Sequence, residues 1–156
     1  EIGQKTIDDP EDYDARANFC FCATMALNGL VGVGVPGDWA SHMIGHELTA
    51  LYGLAHAESL AVVEPGVWQY CIDGKRKKLE QMGSRVFGVA GAQAAIDAVE
   101  KFYNGLRMPG RLSDYNIDAK DAAAKIAEKF RKRNVVWGEK QNITPDAVAE
   151  ILLSRK

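Results

Sequence analysis

Residues 41–61, SHMIGHELTALYGLAHAESLA, contain every histidine of the chain: His42, His46 and His56. The stretch reads as helix, break, helix. Asp38 is a fair N-cap for a first segment running to about Leu51, Gly53 stops it, and a second helix opens near His56. Four residues of helix put His42 and His46 about one turn, or ~6 Å, apart along one face. Beyond the glycine the chain can fold back and bring His56 toward that face. Neutral imidazole is a common metal ligand and a common acid or base near neutral pH. Such a face can coordinate a divalent metal with all three rings, or supply two ligands and a proton carrier.

Outward from this stretch the helical pattern continues. Asp8-Asp9-Pro10 supplies capping carboxylates and a first-turn proline, and Glu11 to Leu30 carries helical periodicity ending at Gly29. The glycine-rich break GLVGVGVPG follows. Past His56, the helix through Glu58, Leu60 and Val63 meets Pro65, which is expected to kink or end it. Lys75 to Phe87 and Gly91 to Leu106 are two further helical patterns, the latter with Ile96, Val99, Phe102, Tyr103 and Leu106 on one stripe. A loop, RMPGRLSDYNI, precedes a helix capped by Asp118 and reaching about Lys132. Thr144-Pro145-Asp146 opens the last helix. Trp39, Trp68 and Tyr70 fall in helical stretches, where core packing is their default role; Trp39 can also help wall a pocket beside His42. No alternating pattern exceeds four residues, so the fold class is all-α.

The bulk properties restrict the function classes. At 156 residues, with 47% hydrophobic and 26% charged residues, the chain suits one soluble domain. A net charge of −2 gives no reason to expect nucleic acid or an anionic membrane as partner. Lys75-Arg76-Lys77-Lys78 and Arg131-Lys132-Arg133 read as solvated helix faces. The longest weakly polar run, Ala26 to Pro36, is far short of the ~20 apolar residues of a spanning helix. Cys20, Cys22 and Cys71 are odd in number and spaced against pairing, which suits a reducing, cytoplasmic compartment. The chain opens on Glu1 with no signal-peptide pattern, so it is expected to be processed or cut from something longer.

Two familiar signatures are incomplete. His46-Glu47-Leu48-Thr49-Ala50 begins like HExxH but has Ala50 at the second histidine position. Gly32-Val33-Gly34-Val35-Pro36-Gly37 fits GxGxxG, yet no strand precedes it, and a loop between helices explains its glycines.

The segment GVPGDWASHMIGHELTALYGLAHAESLAVVEPGVW resembles the metal-binding stretch of the iron-containing (type III) alcohol dehydrogenases, in particular the branch of butanol dehydrogenases and NADPH-dependent aldehyde reductases. YDARANFCFCATMALNGL, KRKKLEQMGSRVFG, LSDYNID and GEKQNITPDAVAEIL extend the resemblance along nearly the whole chain. The resemblance implies a helical, bundle-like C-terminal domain of the dehydroquinate synthase-like architecture, spanning residues 1–156, with the nucleotide-binding domain outside this sequence. It implies metal ligands at His42 and His56 for a divalent Fe or Zn, and His46 as the catalytic residue for proton relay or substrate positioning. The family's remaining ligands, an Asp and a His spaced D-x3-H, match nothing here.

By the same resemblance, the full-length protein is a homodimer that transfers hydride between NAD(P)H and a small aldehyde or alcohol, with the cofactor held mainly by the N-terminal domain. The 156-residue chain alone is expected to bind metal weakly and to be inactive. The alternatives are a self-contained helical metallohydrolase using His42, His46 and His56 together, and a helical interaction module with incidental histidines.

Overall fold

The computed structural model describes residues 2–156, and every regular element among them is helical. The one β-type pairing among the described residues is an isolated antiparallel bridge between Trp137 and Ile143. The chain forms two compact units, one up to Gly37 and one from Asp38 onward.

The first unit holds α1 (Gly3–Asp8), α2 (Tyr13–Leu27) and a short 3-10 turn. The single long helix expected from Glu11 is shifted at its start. Asp12 is the N-cap, its carboxylate accepting from the Ala15 N–H at 2.8 Å. Asp12 fills that role because a carboxylate at the N-cap satisfies an otherwise orphaned donor of the first turn. Apolar residues run around the whole circumference of α2, and only Ala15 is buried.

The second unit carries α3 (Ala40–Tyr52), α4 (His56–Tyr70), α5 (Ile72–Met82), α6 (Ala92–Gly105), α7 (Ala119–Lys132) and α8 (Pro145–Ser154). Local chemistry sets several of these boundaries. Asp118 accepts from the Asp121 N–H at 2.8 Å to start α7, and Thr144 accepts from the Ala147 N–H at 3.3 Å to start α8, with Pro145 in its first turn. The Lys75–Phe87 pattern begins earlier, at Ile72, and its last turn is π-wound over Gly83–Phe87. There the Gly83 carbonyl accepts from the Val89 N–H at 3.0 Å.

α3 packs on α4, α7 on α8, and α4 also touches α6 and α8. Ile44 and Leu48 of α3, Val62, Val63 and Val67 of α4, Ile126 and Phe130 of α7, and Ile151 and Leu152 of α8 form one core. Burying each such side chain contributes roughly 1.5–3 kcal/mol. A smaller cluster of Leu79, Ala92, Ala95 and Ile96 takes Trp68 against it.

Three expectations are corrected. Of the two outcomes expected at Pro65, a kink or an end, the end is overturned, because α4 runs through it to Tyr70. A proline removes one N–H and crowds the carbonyl one turn back, leaving the preceding turn short of donors. Arg155 adds a donor to that turn from outside the helix: its Nε donates at 2.8 Å to the Val62 carbonyl, next to the Ala61 carbonyl whose helical N–H partner Pro65 lacks. Gly66 makes room for that side chain, since a Cβ there would lie 2.8 Å from Arg155 Cδ. Second, Tyr70 is 43% exposed instead of in the core. Third, Trp39 lies outside the helix, immediately before it, with φ 57° and 63% of its surface exposed.

Candidate metal centre

His42 and His46 project from α3, and His56 is the first residue of α4. The link between them is short and tightly determined. Gly53 adopts φ 75°, a left-handed conformation that glycine reaches without a Cβ penalty, and its N–H closes α3 by donating to the Thr49 carbonyl at 2.9 Å. Glu58 then caps α4 by accepting from the Ala55 N–H at 2.8 Å. The two helices approach closely at Gly45, where a Cβ would lie 2.9 Å from Ser59 Oγ. Ser59 is fully buried and donates to the His56 carbonyl at 2.9 Å. The glycine thus lets one histidine-bearing helix reach the other.

The structure brings all three histidines together. Ring centroids lie 5.3 Å apart for His42 and His56, 5.3 Å for His46 and His56, and 6.4 Å for His42 and His46. Two imidazoles on one ion, with metal–nitrogen distances of about 2.0–2.1 Å, hold their centroids roughly 5 Å apart at a tetrahedral angle. The His42–His56 and His46–His56 separations both fit that figure, while the His42–His46 separation is too wide for it, so either pair that includes His56 suits one ion. A pair of rings therefore fits one ion and three do not. Among the described residues, no group of three or more His, Cys, Asp or Glu side chains is arranged to hold a metal.

His42 is half-buried, whereas His46 and His56 are exposed. Burial, reinforced by the charges of His56 and His46, pushes the His42 imidazole below its usual value. That favours the neutral ring, the form that donates a lone pair to a metal. Trp39 stands edge-on to His42, with centroids 5.5 Å apart and planes at 72°.

Glu47, the acidic residue of the incomplete HExxH pattern, points away from this chemistry. Its buried carboxylate accepts from Arg133 Nη1 at 2.9 Å and from Lys129 Nζ, clamping α3 to α7. Neither that clamp nor the contact of Gly45 with Ser59 is visible in the linear pattern. The one sequence-level hint of the second is a glycine inside an otherwise good helix, a position usually explained by close packing.

Paired imidazoles on two helices of an all-α scaffold make a candidate metal centre, and comparison with known proteins supplies the family. Over residues 2–155 the chain matches the Fe-containing alcohol dehydrogenase family, C-terminal, and it belongs to that family. It is 43% identical over 157 residues to the NADPH-dependent aldehyde reductase YqhD of Escherichia coli (strain K12), a match covering 97% of this chain and 41% of the relative. The solved substrate- and cofactor-free form of aldehyde reductase YqhD from E. coli superposes with a TM-score of 0.94 at 41% identity, covering 99% of this chain and 42% of that one. The NADH-dependent butanol dehydrogenase A of Thermotoga maritima gives 0.86 at 32% identity, with 99% and 42% covered. The chain thus spans about two-fifths of the length of these relatives. No helix among the described residues is long and apolar enough to cross a membrane.

Proposed function

We propose that residues 1–156 form the helical, metal-contributing C-terminal region of a cytoplasmic, homodimeric alcohol dehydrogenase or aldehyde reductase that uses NAD(P)H. The observation that carries this reading is the gathering of His42, His46 and His56 on two abutting helices of a chain in this family, with His56 5.3 Å from each of the other two rings. Of the two pairs that suit one ion, His42 and His56 are the ligands this chain offers to Fe²⁺ or Zn²⁺, since His42 is the half-buried ring whose neutral form burial favours. When bound, the ion polarises the carbonyl oxygen of an aldehyde that is reduced by hydride from the nicotinamide.

The chain's own residues do the rest. His42 and His56 hold the ligand geometry, set by the Gly53 turn and the contact of Gly45 with Ser59. His46, exposed and one turn from His42, carries a proton on its imidazole to the substrate oxygen and is the catalytic residue of the chain. Two neutral imidazoles bring no negative charge to an ion, and the family resemblance implies that the remaining ligands and the nucleotide pocket belong to sequence outside these residues, which span about two-fifths of the relatives' length. The apolar circumference of α2 supports that view, since a helix that is hydrophobic all round is a buried one. The 156-residue chain alone is accordingly inactive and a weak metal binder. A three-histidine hydrolytic site is disfavoured by the 6.4 Å between His42 and His46.

Co²⁺ titration of the purified chain, followed by its visible absorbance, tests the assignment. His42→Ala and His56→Ala should each remove most of the binding, and His46→Ala should keep it within a few-fold. Binding that depends on His46 as strongly as on the other two would sink the division of roles. Submicromolar affinity in the isolated chain would contradict the half-site.

A further inference from the structure

Trp39 occupies a backbone conformation that its side chain does not favour. Its φ of 57° lies in the left-handed region, which a bulky residue adopts only when its surroundings enforce it. The enforcement comes from both flanks. On one side Asp38 is tied three ways. Its Oδ2 accepts from Lys75 Nζ at 2.7 Å, its Oδ1 from the Ala40 N–H at 3.1 Å, and its carbonyl from the Gly138 N–H at 3.2 Å. On the other side Ala40 is fully buried, and the Trp39 carbonyl accepts from the Met43 N–H at 3.0 Å to start α3.

This arrangement does little for the core, since most of the indole faces outward. What it does is set the ring edge-on against His42. No protein group among the described residues hydrogen-bonds either nitrogen of His42. Histidines that ligate metals ordinarily have their ring orientation set by a neighbouring group, and losing that group weakens metal binding substantially. Edge-to-face contact between aromatic rings is directional enough to serve the same end.

We propose that Trp39 is a positioning residue for His42: its indole holds the imidazole in the orientation that lets it share an ion with His56. The proposal rests on the reading of His42 and His56 as ligands. It gives the strained residue a purpose that helix capping does not require. Asp38 already satisfies the Ala40 N–H, and a glycine at position 39 would take the same backbone conformation without strain.

The test is Co²⁺ binding by the 156-residue chain, read by visible absorbance and by quenching of tryptophan emission. Trp39→Gly suits the backbone and removes the ring. It should keep helical content and thermal stability at or above the parent's, yet weaken Co²⁺ binding roughly tenfold or more and alter the absorbance band. Trp39→Phe keeps an aromatic edge and should bind within about twofold of the parent, while abolishing the Co²⁺-dependent part of the quenching. Parent-like Co²⁺ affinity and spectrum in a folded Trp39→Gly variant overturn the proposal. So does parent emission that bound Co²⁺ leaves unquenched, a result that depends on no variant. If instead parent binding is indifferent to His42→Ala and His56→Ala, or absent at millimolar Co²⁺, the ligand assignment itself has failed and takes the proposal with it.

Discussion

Gly45 of α3 meets Ser59 of α4 so closely that a Cβ on the glycine would stand 2.9 Å from the serine hydroxyl oxygen. That oxygen belongs to the hydroxyl that donates to the His56 carbonyl. The spacing of the histidine-bearing helices and the anchoring of His56 therefore meet at one point. Gly45→Ala should push the helices apart and disturb that hydrogen bond, at a cost of about 1–3 kcal/mol for an overpacked interface. Alanine's better helix propensity, worth roughly 1 kcal/mol, offsets only part of this. Thermal melts should show the loss, and Co²⁺ affinity should fall several-fold. Adding Ser59→Ala removes the clashing oxygen and should restore most of the stability. A Gly45→Ala variant more stable than the parent would show that the contact is not limiting.

Arg155 is 5% exposed and joins three parts of the second unit. It donates to the Val62 carbonyl at 2.8 Å, to the Gly110 carbonyl at 2.7 Å, and to the Glu100 carboxylate. Arg155→Met should cost about 3–5 kcal/mol, because removing one member of a buried pair strands its partners. Arg111, which also reaches Glu100 at 3.4 Å, is well exposed. Its replacement by alanine should cost under about 1 kcal/mol. Urea titrations of the two variants check the contrast, and equal losses would count against it.

Glu64 packs against α6, where it accepts a hydrogen bond from the Tyr103 hydroxyl. Burial raises its carboxyl above the ordinary value of 4.5, only partly opposed by that bond. Between pH 4.5 and that raised value the folded protein consequently holds a proton on Glu64 that the unfolded chain has released. The favourable contribution is complete below pH 4.5 and is lost as pH rises through the raised folded value. Glu64→Gln keeps an acceptor for Tyr103 without a charge to desolvate. Its stability relative to the parent should increase as pH rises from 4 toward 7, measured by denaturant midpoints at each pH. A difference independent of pH would show that Glu64 is not protonated preferentially in the fold.

Features governed by neighbours in sequence were readable in advance. The Asp118 cap, the Thr144-Pro145 start and the Gly53 stop each depend on atoms within a few residues, and each stands where the pattern puts it. The all-α class follows from apolar periodicity, which is a local property too. The histidine spacing supplied the candidate site and, through the family it resembles, the roles proposed for its members. What misled the linear reading at Trp39 was help from far along the chain: Gly138 and Lys75 holding Asp38.

The identity of the imidazoles and their placement on a broken helix pair are written in residues 41–61. How far apart the rings stand is not. That spacing depends on the angle and distance between α3 and α4, set by the contact of Gly45 with Ser59 and by packing in the shared core. The outward role of Glu47 is similar, since a carboxylate beside a histidine serves the site or the scaffold according to which cations the fold brings to it. Lys129 and Arg133 lie more than eighty residues away and were brought there by α7. Short-range sterics and capping act before the chain folds up, whereas ring-to-ring distances exist only once the helices have packed.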